Sequence, residues 1–156
     1  MNENYAELIP NFPLFKGFTT DGANRLLKSG EIKQHAAGDV LLKEGDAADR
    51  VLLLLTGGLE VFVERDGKDL VLTETKPGTV VGELAVLCGI PRSASVRTQD
   101  NAAVLEWSDE AFRTLLLRDP HLSQRIFGQI LRTLVEKESA LIDSLITAQH
   151  LSQRSR

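Results

Sequence analysis

The chain predicts an α+β fold that is mainly β: a jelly roll or barrel with short helices before it and a long helix after it. Two observations predict this. Between residues 31 and 108, short apolar runs alternate with glycine turns at regular spacing, which marks a roll or barrel of many short strands. From Pro120 to about Ala148 the apolar residues recur instead at three- and four-residue steps, the period of a helix. The chain accordingly divides into an N-terminal helical segment (1–30), a β-roll (31–108) and C-terminal helices (109–156), which together make one domain.

The elements follow in order. Pro10 and Pro13 bracket Asn11-Phe12 and stop any early helix there. Leu14, Phe15 and Phe18 are apolar anchors, and Thr20-Asp21 caps a helix that carries Leu26 and Leu27 and ends near Ser29-Gly30. Gly38-Asp39 precedes Val40-Leu41-Leu42, and Gly45-Asp46 leads to the apolar run 51–55. Gly57-Gly58 opens Leu59-Glu60-Val61-Phe62-Val63, an alternation of core and solvent faces. Asp66-Gly67 is a hairpin signal before Leu70-Val71-Leu72. Pro77-Gly78 turns into Val80-Val81, and segments 96–98 and 104–107 close the series. Ser108-Asp109 caps a helix over 110–117, which breaks at Asp119-Pro120. In the long helix, Phe127, Leu131, Leu134, Glu138, Leu141, Leu145 and Ala148 form a heptad-like stripe, and Ile126, Ile130, Val135, Ile142 and Ile146 lie off it. A helix apolar on more than one side needs more than one partner surface. One can be the roll; the other is expected to be the same helix of a second subunit, giving a homodimer, with one broad face buried within a monomer as the competing reading. The tail 151–156 is polar and expected to fray.

Composition narrows the function. A chain of 156 residues, 42% apolar, is ordinary for one globular domain with a sizeable core. The net charge of −4 argues against a general nucleic-acid surface, yet leaves open a small anion held by one local arginine. Cys88, the one cysteine, has no internal disulfide partner, which fits a reducing compartment. No apolar run reaches the length of a membrane span, and the N-terminus lacks the regions of a signal peptide, so the expected location is cytoplasmic. His35, His121 and His150 are scattered, so no metal site is expected. No histidine partner follows Cys88, which reads as a filler and not a nucleophile, and Trp107 reads as core. The chain is not expected to be an enzyme.

The most informative stretch is 82–96. Gly82-Glu83 opens it, an apolar helix-compatible run follows, and Pro91-Arg92-Ser93-Ala94-Ser95-Val96 closes it. A helix N-terminus offers backbone N–H groups to an anion. Arginine adds a bidentate partner for phosphate, and glutamate accepts from sugar hydroxyls. Together these suit a small molecule with one phosphate and one ribose.

Gly82-Glu83-Leu84-Ala85, followed by Pro91-Arg92-Ser93-Ala94, closely resembles the phosphate-binding cassette of the cyclic nucleotide-binding domain. That family includes the catabolite activator protein, the regulatory subunits of cyclic-AMP-dependent protein kinase and the cytoplasmic domains of nucleotide-gated channels. The turn glycines Gly38, Gly45, Gly57 and Gly58 fall where the family places them, so the resemblance covers most of residues 10–145. It implies an antiparallel β-roll and a regulatory role, with cyclic AMP as the ligand and cyclic GMP as the other candidate. It also implies roles. Arg92 holds the phosphate, helped by the amides of Leu84 and Ala85 and by Ser93. Glu83 accepts from the ribose 2′-hydroxyl, Gly82 allows close approach to the sugar, and Ala94 leaves room beside the ring. Leu72 and Val81 are expected as apolar walls of the base pocket, with ordinary core as the competing reading. Thr133, Lys137 and Glu138 fall in the part of the long helix that covers the base, where Glu138 accepts from an adenine amine. The catabolite activator protein has hydroxyl residues at that place. Ser93 resembles that protein's serine and so favours cyclic AMP, although a serine hydroxyl also reaches a guanine. In regulators of that type a helix-turn-helix domain follows the dimerising helix. This chain stops at Arg156, so no direct DNA contact is expected from it. A stand-alone sensor, a sensor cut from a larger regulator and a scaffold that no longer binds nucleotide all stay open, and Glu83 with Arg92 speaks against the last.

Overall fold

The structure, a computed structural model, describes residues 4–155. Prolines set its opening: α1 (Tyr5–Leu8) runs into single 3-10 turns at Ile9–Asn11 and Pro13–Phe15, each with a proline in its first positions. α2 (Thr20–Lys28) is capped by Thr19, one residue earlier than expected, whose hydroxyl accepts from the Gly22 amide at 3.0 Å. Eight strands follow: β1 (Glu31–His35), β2 (Val40–Leu42), β3 (Arg50–Thr56), β4 (Leu59–Arg65), β5 (Lys68–Thr75), β6 (Val80–Val81), β7 (Ser95–Thr98) and β8 (Ala102–Ser108). α3 (Glu83–Cys88) sits between β6 and β7, and α4 (Asp109–Arg118) and α5 (Pro120–Arg154) end the chain.

The strands pair antiparallel in two sheets of four, ordered β1-β8-β3-β6 and β2-β7-β4-β5, the expected β-roll. The run 51–55 in β3 is buried throughout because both of its faces are covered. Leu52 and Leu54 point between the sheets, where they join Leu42 of β2, Leu59 of β4, Val81 of β6, Val96 of β7 and Val104 of β8 in one cluster. The alternate residues Val51, Leu53 and Leu55 are also buried, on the side of β3 that meets α3 and α4. Each such leucine contributes about 1.5–3 kcal/mol on burial. The β4–β5 hairpin closes on Asp66 (φ 54) and Gly67 (φ 74), between paired Arg65 and Lys68.

Two expectations need correction, and one strand carries no mark in the sequence. The alternation in 59–63 fails at its end: Phe62 and Val63 are both buried, because the pairing with β5 shifts between Val61 and Phe62, a bulge. β1 carries no strand pattern in its sequence; Ile32 is half-exposed, and the strand exists through its ladder with β8 and the Lys33–Glu106 ion pair at 3.0 Å. The tail is helical as far as Arg154, since residues 129–154 contain no glycine or proline to stop it.

The chain forms two compact units that divide between Asp119 and Pro120. The first holds both sheets and the helices through α4. The second is α5, a helix of 35 residues whose buried residues are Leu122 and Ile126. Every described residue from 131 onward is exposed, including Leu131, Leu134, Leu141 and Leu145.

Candidate functional site

α3 begins at a residue that has to be glycine. Gly82 has φ 84, in the left-handed region. A Cβ there would lie 2.7 Å from Nη1 of Arg92 and 3.0 Å from Cδ1 of Leu42. Backbone conformation and space both disfavour a side chain, which could enter only by displacing the Arg92 guanidinium. The close approach lets the guanidinium of Arg92 settle against the entry to the helix.

Arg92 is fixed first by its main chain. The Gly45 amide donates to the Arg92 carbonyl at 2.8 Å, and the Arg92 amide donates to the Asp46 carbonyl at 3.0 Å. Its side chain is 4% exposed, and Asp49 Oδ1, on a side chain 74% exposed, stands 3.7 Å from Nη2. Nη1 donates to the Gly82 carbonyl at 3.2 Å and Nη2 to the Arg50 carbonyl at 2.6 Å. Burial lowers the pKa of Arg92 from its ordinary value; the charge of Asp49 opposes this and the charge of Arg50 adds to it. The guanidinium nevertheless stays protonated at neutral pH, because arginine starts so high. The site thus holds a buried, permanent cation aimed by two carbonyls. Its pair with Asp49 is long and water-screened, hence weak. An incoming anion with two oxygens offers a better partner.

The neighbouring residues fall into place around that cation. Glu83, Leu84 and Ala85 form the first turn of α3, half-buried to buried. Helix geometry leaves the amides of Leu84 and Ala85 without an intrahelical acceptor. Ser93 is exposed and Ala94 half-buried, and the buried hydroxyl of Ser95 accepts from the Glu44 amide at 2.9 Å, which pins the exit of the cassette. Gly82 through Ala85 and Arg92 through Ala94 therefore come together in the first unit. Val81 lies in the core cluster and Leu72 stands 60% exposed on β5. Thr133, Lys137 and Glu138 are exposed on α5, in the second unit. Sequence reasoning missed Asp46, Asp49 and Arg50. Only Asp49 had any signal, as an acid just before a strand; a main-chain carbonyl carries no residue signature at all.

The model of a known family, described as "Cyclic nucleotide-binding domain", matches residues 32–119, from β1 through α4 and across the whole cassette. The chain belongs to the cyclic nucleotide-binding domain family. The Catabolite Activator Protein of Thermus thermophilus shares the fold of this cyclic nucleotide-binding domain with a TM-score of 0.75 at 24% identity, over 83% of this chain and 61% of that one. A cAMP-dependent protein kinase regulatory subunit from Blastocladiella emersonii is 29% identical over 138 residues, 88% of this chain and 33% of the subunit. The potassium channel SKOR of Arabidopsis thaliana is 25% identical over 128 residues, 81% of this chain and 16% of the channel. The chain spans less than two thirds of each of these proteins. Among the described residues, no helix is long and apolar enough to cross a membrane, and no three His, Cys, Asp or Glu side chains converge on a metal position.

Proposed function

We propose that this cyclic nucleotide-binding domain is a regulatory module that takes cyclic AMP and passes the occupancy of its site on through α5. The observation that carries the reading is Arg92, a buried cation held by the carbonyls of Gly82 and Arg50 at the start of α3. A cyclic phosphodiester has one negative charge and two exocyclic oxygens, which match a guanidinium fork. The match gains strength where water is scarce. The amides of Leu84 and Ala85 and the Ser93 hydroxyl complete the phosphate seat, and Glu83 reads the ribose 2′-hydroxyl. Leu72 and Val81 as base-pocket walls, and Thr133, Lys137 and Glu138 as base contacts, rest on the family resemblance. Cyclic AMP is favoured over cyclic GMP by Ser93 and by the likeness to a cAMP-dependent kinase subunit. We assign no catalysis to the site, and a cytoplasmic location fits this role.

α5 is the proposed dimer element. It carries Leu131, Leu134, Leu141 and Leu145 exposed at three-, four- and seven-residue steps, with Glu138 on the same stripe. A second copy of the chain is the proposed cover for that stripe.

Isothermal titration with cyclic AMP, cyclic GMP and linear AMP tests the reading. Wild type should bind a cyclic nucleotide in preference to linear AMP. Arg92→Ala should lose about 2–5 kcal/mol of that binding, because the phosphate then faces a site without its counter-charge. Equal affinity of wild type and Arg92→Ala would sink the proposal.

A further inference from the structure

α3 ends in a way that leaves one carbonyl over. The amides of Gly89 and Ile90 both donate to the carbonyl of Ala85. Ile90 is four residues on from Val86, so Val86 loses its regular intrahelical donor. Val86 is 1% exposed, so water is not at hand to replace that donor. The replacement comes from α4, where Nη2 of Arg113 donates to the Val86 carbonyl. Arg113 is itself held by the carboxylate of Asp109, one helical turn earlier. The amide of Asp109 donates to the Asp49 carbonyl at 2.9 Å. The Asp49 carboxylate is the acid beside Arg92. The first turns of α4 are therefore tied to the tail of α3 through Arg113, and they also hold the main chain of Asp49, whose carboxylate lies 3.7 Å from Arg92.

We infer that Arg113 is a positioning residue of the nucleotide site, fastening the C-terminal end of α3 to α4 so that the cassette and α4 order together. A helix of six residues does not hold its own shape in water. Its first-turn amides aim at an anion only while the helix is seated. A cation at its C-terminal end also favours the helix dipole. A single residue, Asp119, separates α4 from α5, so the chain leaves the first unit by way of the helix that Arg113 fastens. The ligand named here rests on the proposed function; the fastening itself does not.

Amide hydrogen exchange of the full chain, read by mass spectrometry, separates the two. Arg113→Met removes the donor and keeps the apolar stem. Without nucleotide, exchange across 83–90 should rise about tenfold in this variant, while β3 and β8 exchange as in wild type. Arg113→Lys, which keeps a cation within reach of the carbonyl, should restore part of the protection. With cyclic AMP, wild type should gain protection in both 83–90 and 109–118, and Arg113→Met in 83–90 alone. The affinity of Arg113→Met should fall about ten- to a hundredfold, the worth of one charge-assisted hydrogen bond. Unchanged exchange of 83–90 in free Arg113→Met would overturn the inference. Should that variant lose protection everywhere, Arg113→Gln decides: selective loss in 83–90 supports the fastening, and uniform loss overturns it. A wild type that binds neither cyclic nucleotide defeats the proposed function, and the exchange of the free variants then judges Arg113 by itself.

Discussion

Gly82→Ala should separate binding from folding. An alanine at φ 84 carries left-handed strain of about 1–2 kcal/mol. The atom nearest the new methyl is Nη1 of Arg92, at 2.7 Å, whereas the Arg50 carbonyl stands at an ordinary 3.4 Å. The least costly relief is therefore a movement of the guanidinium and not of the main chain. That movement gives up the bond from the charged guanidinium to the Gly82 carbonyl, a further loss of about 1.5–3 kcal/mol. The total, about 2.5–5 kcal/mol, lowers the melting temperature by roughly 2–4 °C per kcal/mol for a chain of this size. The variant stays folded. Binding is largely lost, because the displaced Arg92 no longer meets the phosphate, and the loss approaches the roughly 2–5 kcal/mol of Arg92→Ala. Thermal unfolding by circular dichroism and calorimetric titration with cyclic AMP, on the same preparation, measure both quantities. Binding within about threefold of wild type, less than 1 kcal/mol by the usual conversion, would refute the idea that the position of Arg92 governs the site.

Three further outcomes are expected. Arg92→Lys should recover part of the binding lost in Arg92→Ala, since the charge returns without the fork; full recovery by titration would show that the fork is idle. Wild type should discriminate against 2′-deoxy cyclic AMP, and Glu83→Gln should weaken binding and blunt that discrimination. Equal binding of the two nucleotides by wild type would remove Glu83 from the ribose. Leu134→Asp combined with Leu141→Asp should give a folded monomer by light scattering, because both side chains are exposed on α5. A wild type that is already monomeric with and without nucleotide would remove the dimer.

Much of this protein is legible in its amino-acid sequence. The spacing from Glu83 to Arg92, the Asp66-Gly67 hairpin and the long helical period from Pro120 are local features, and local geometry decides them. A glycine enters a left-handed turn, a two-residue loop sets a hairpin, and an unbroken run without glycine or proline continues as a helix. The sequence by itself therefore determined the kind of fold and the place of the cassette. It did not determine β1, whose five residues are mostly polar and become a strand only beside β8. It missed the bulge at Val61 and Phe62, because a register shift belongs to a pair of strands and not to one. Above all, it did not say what Arg92 and Arg113 rest on. Arg92 donates to the carbonyl of Arg50, 42 positions away, and Arg113 to that of Val86, 27 positions away. Every residue has a carbonyl, so neither acceptor leaves a mark in the amino-acid code. Only the tertiary structure, by bringing one particular carbonyl within reach and keeping water off it, turns a common main-chain atom into part of a site.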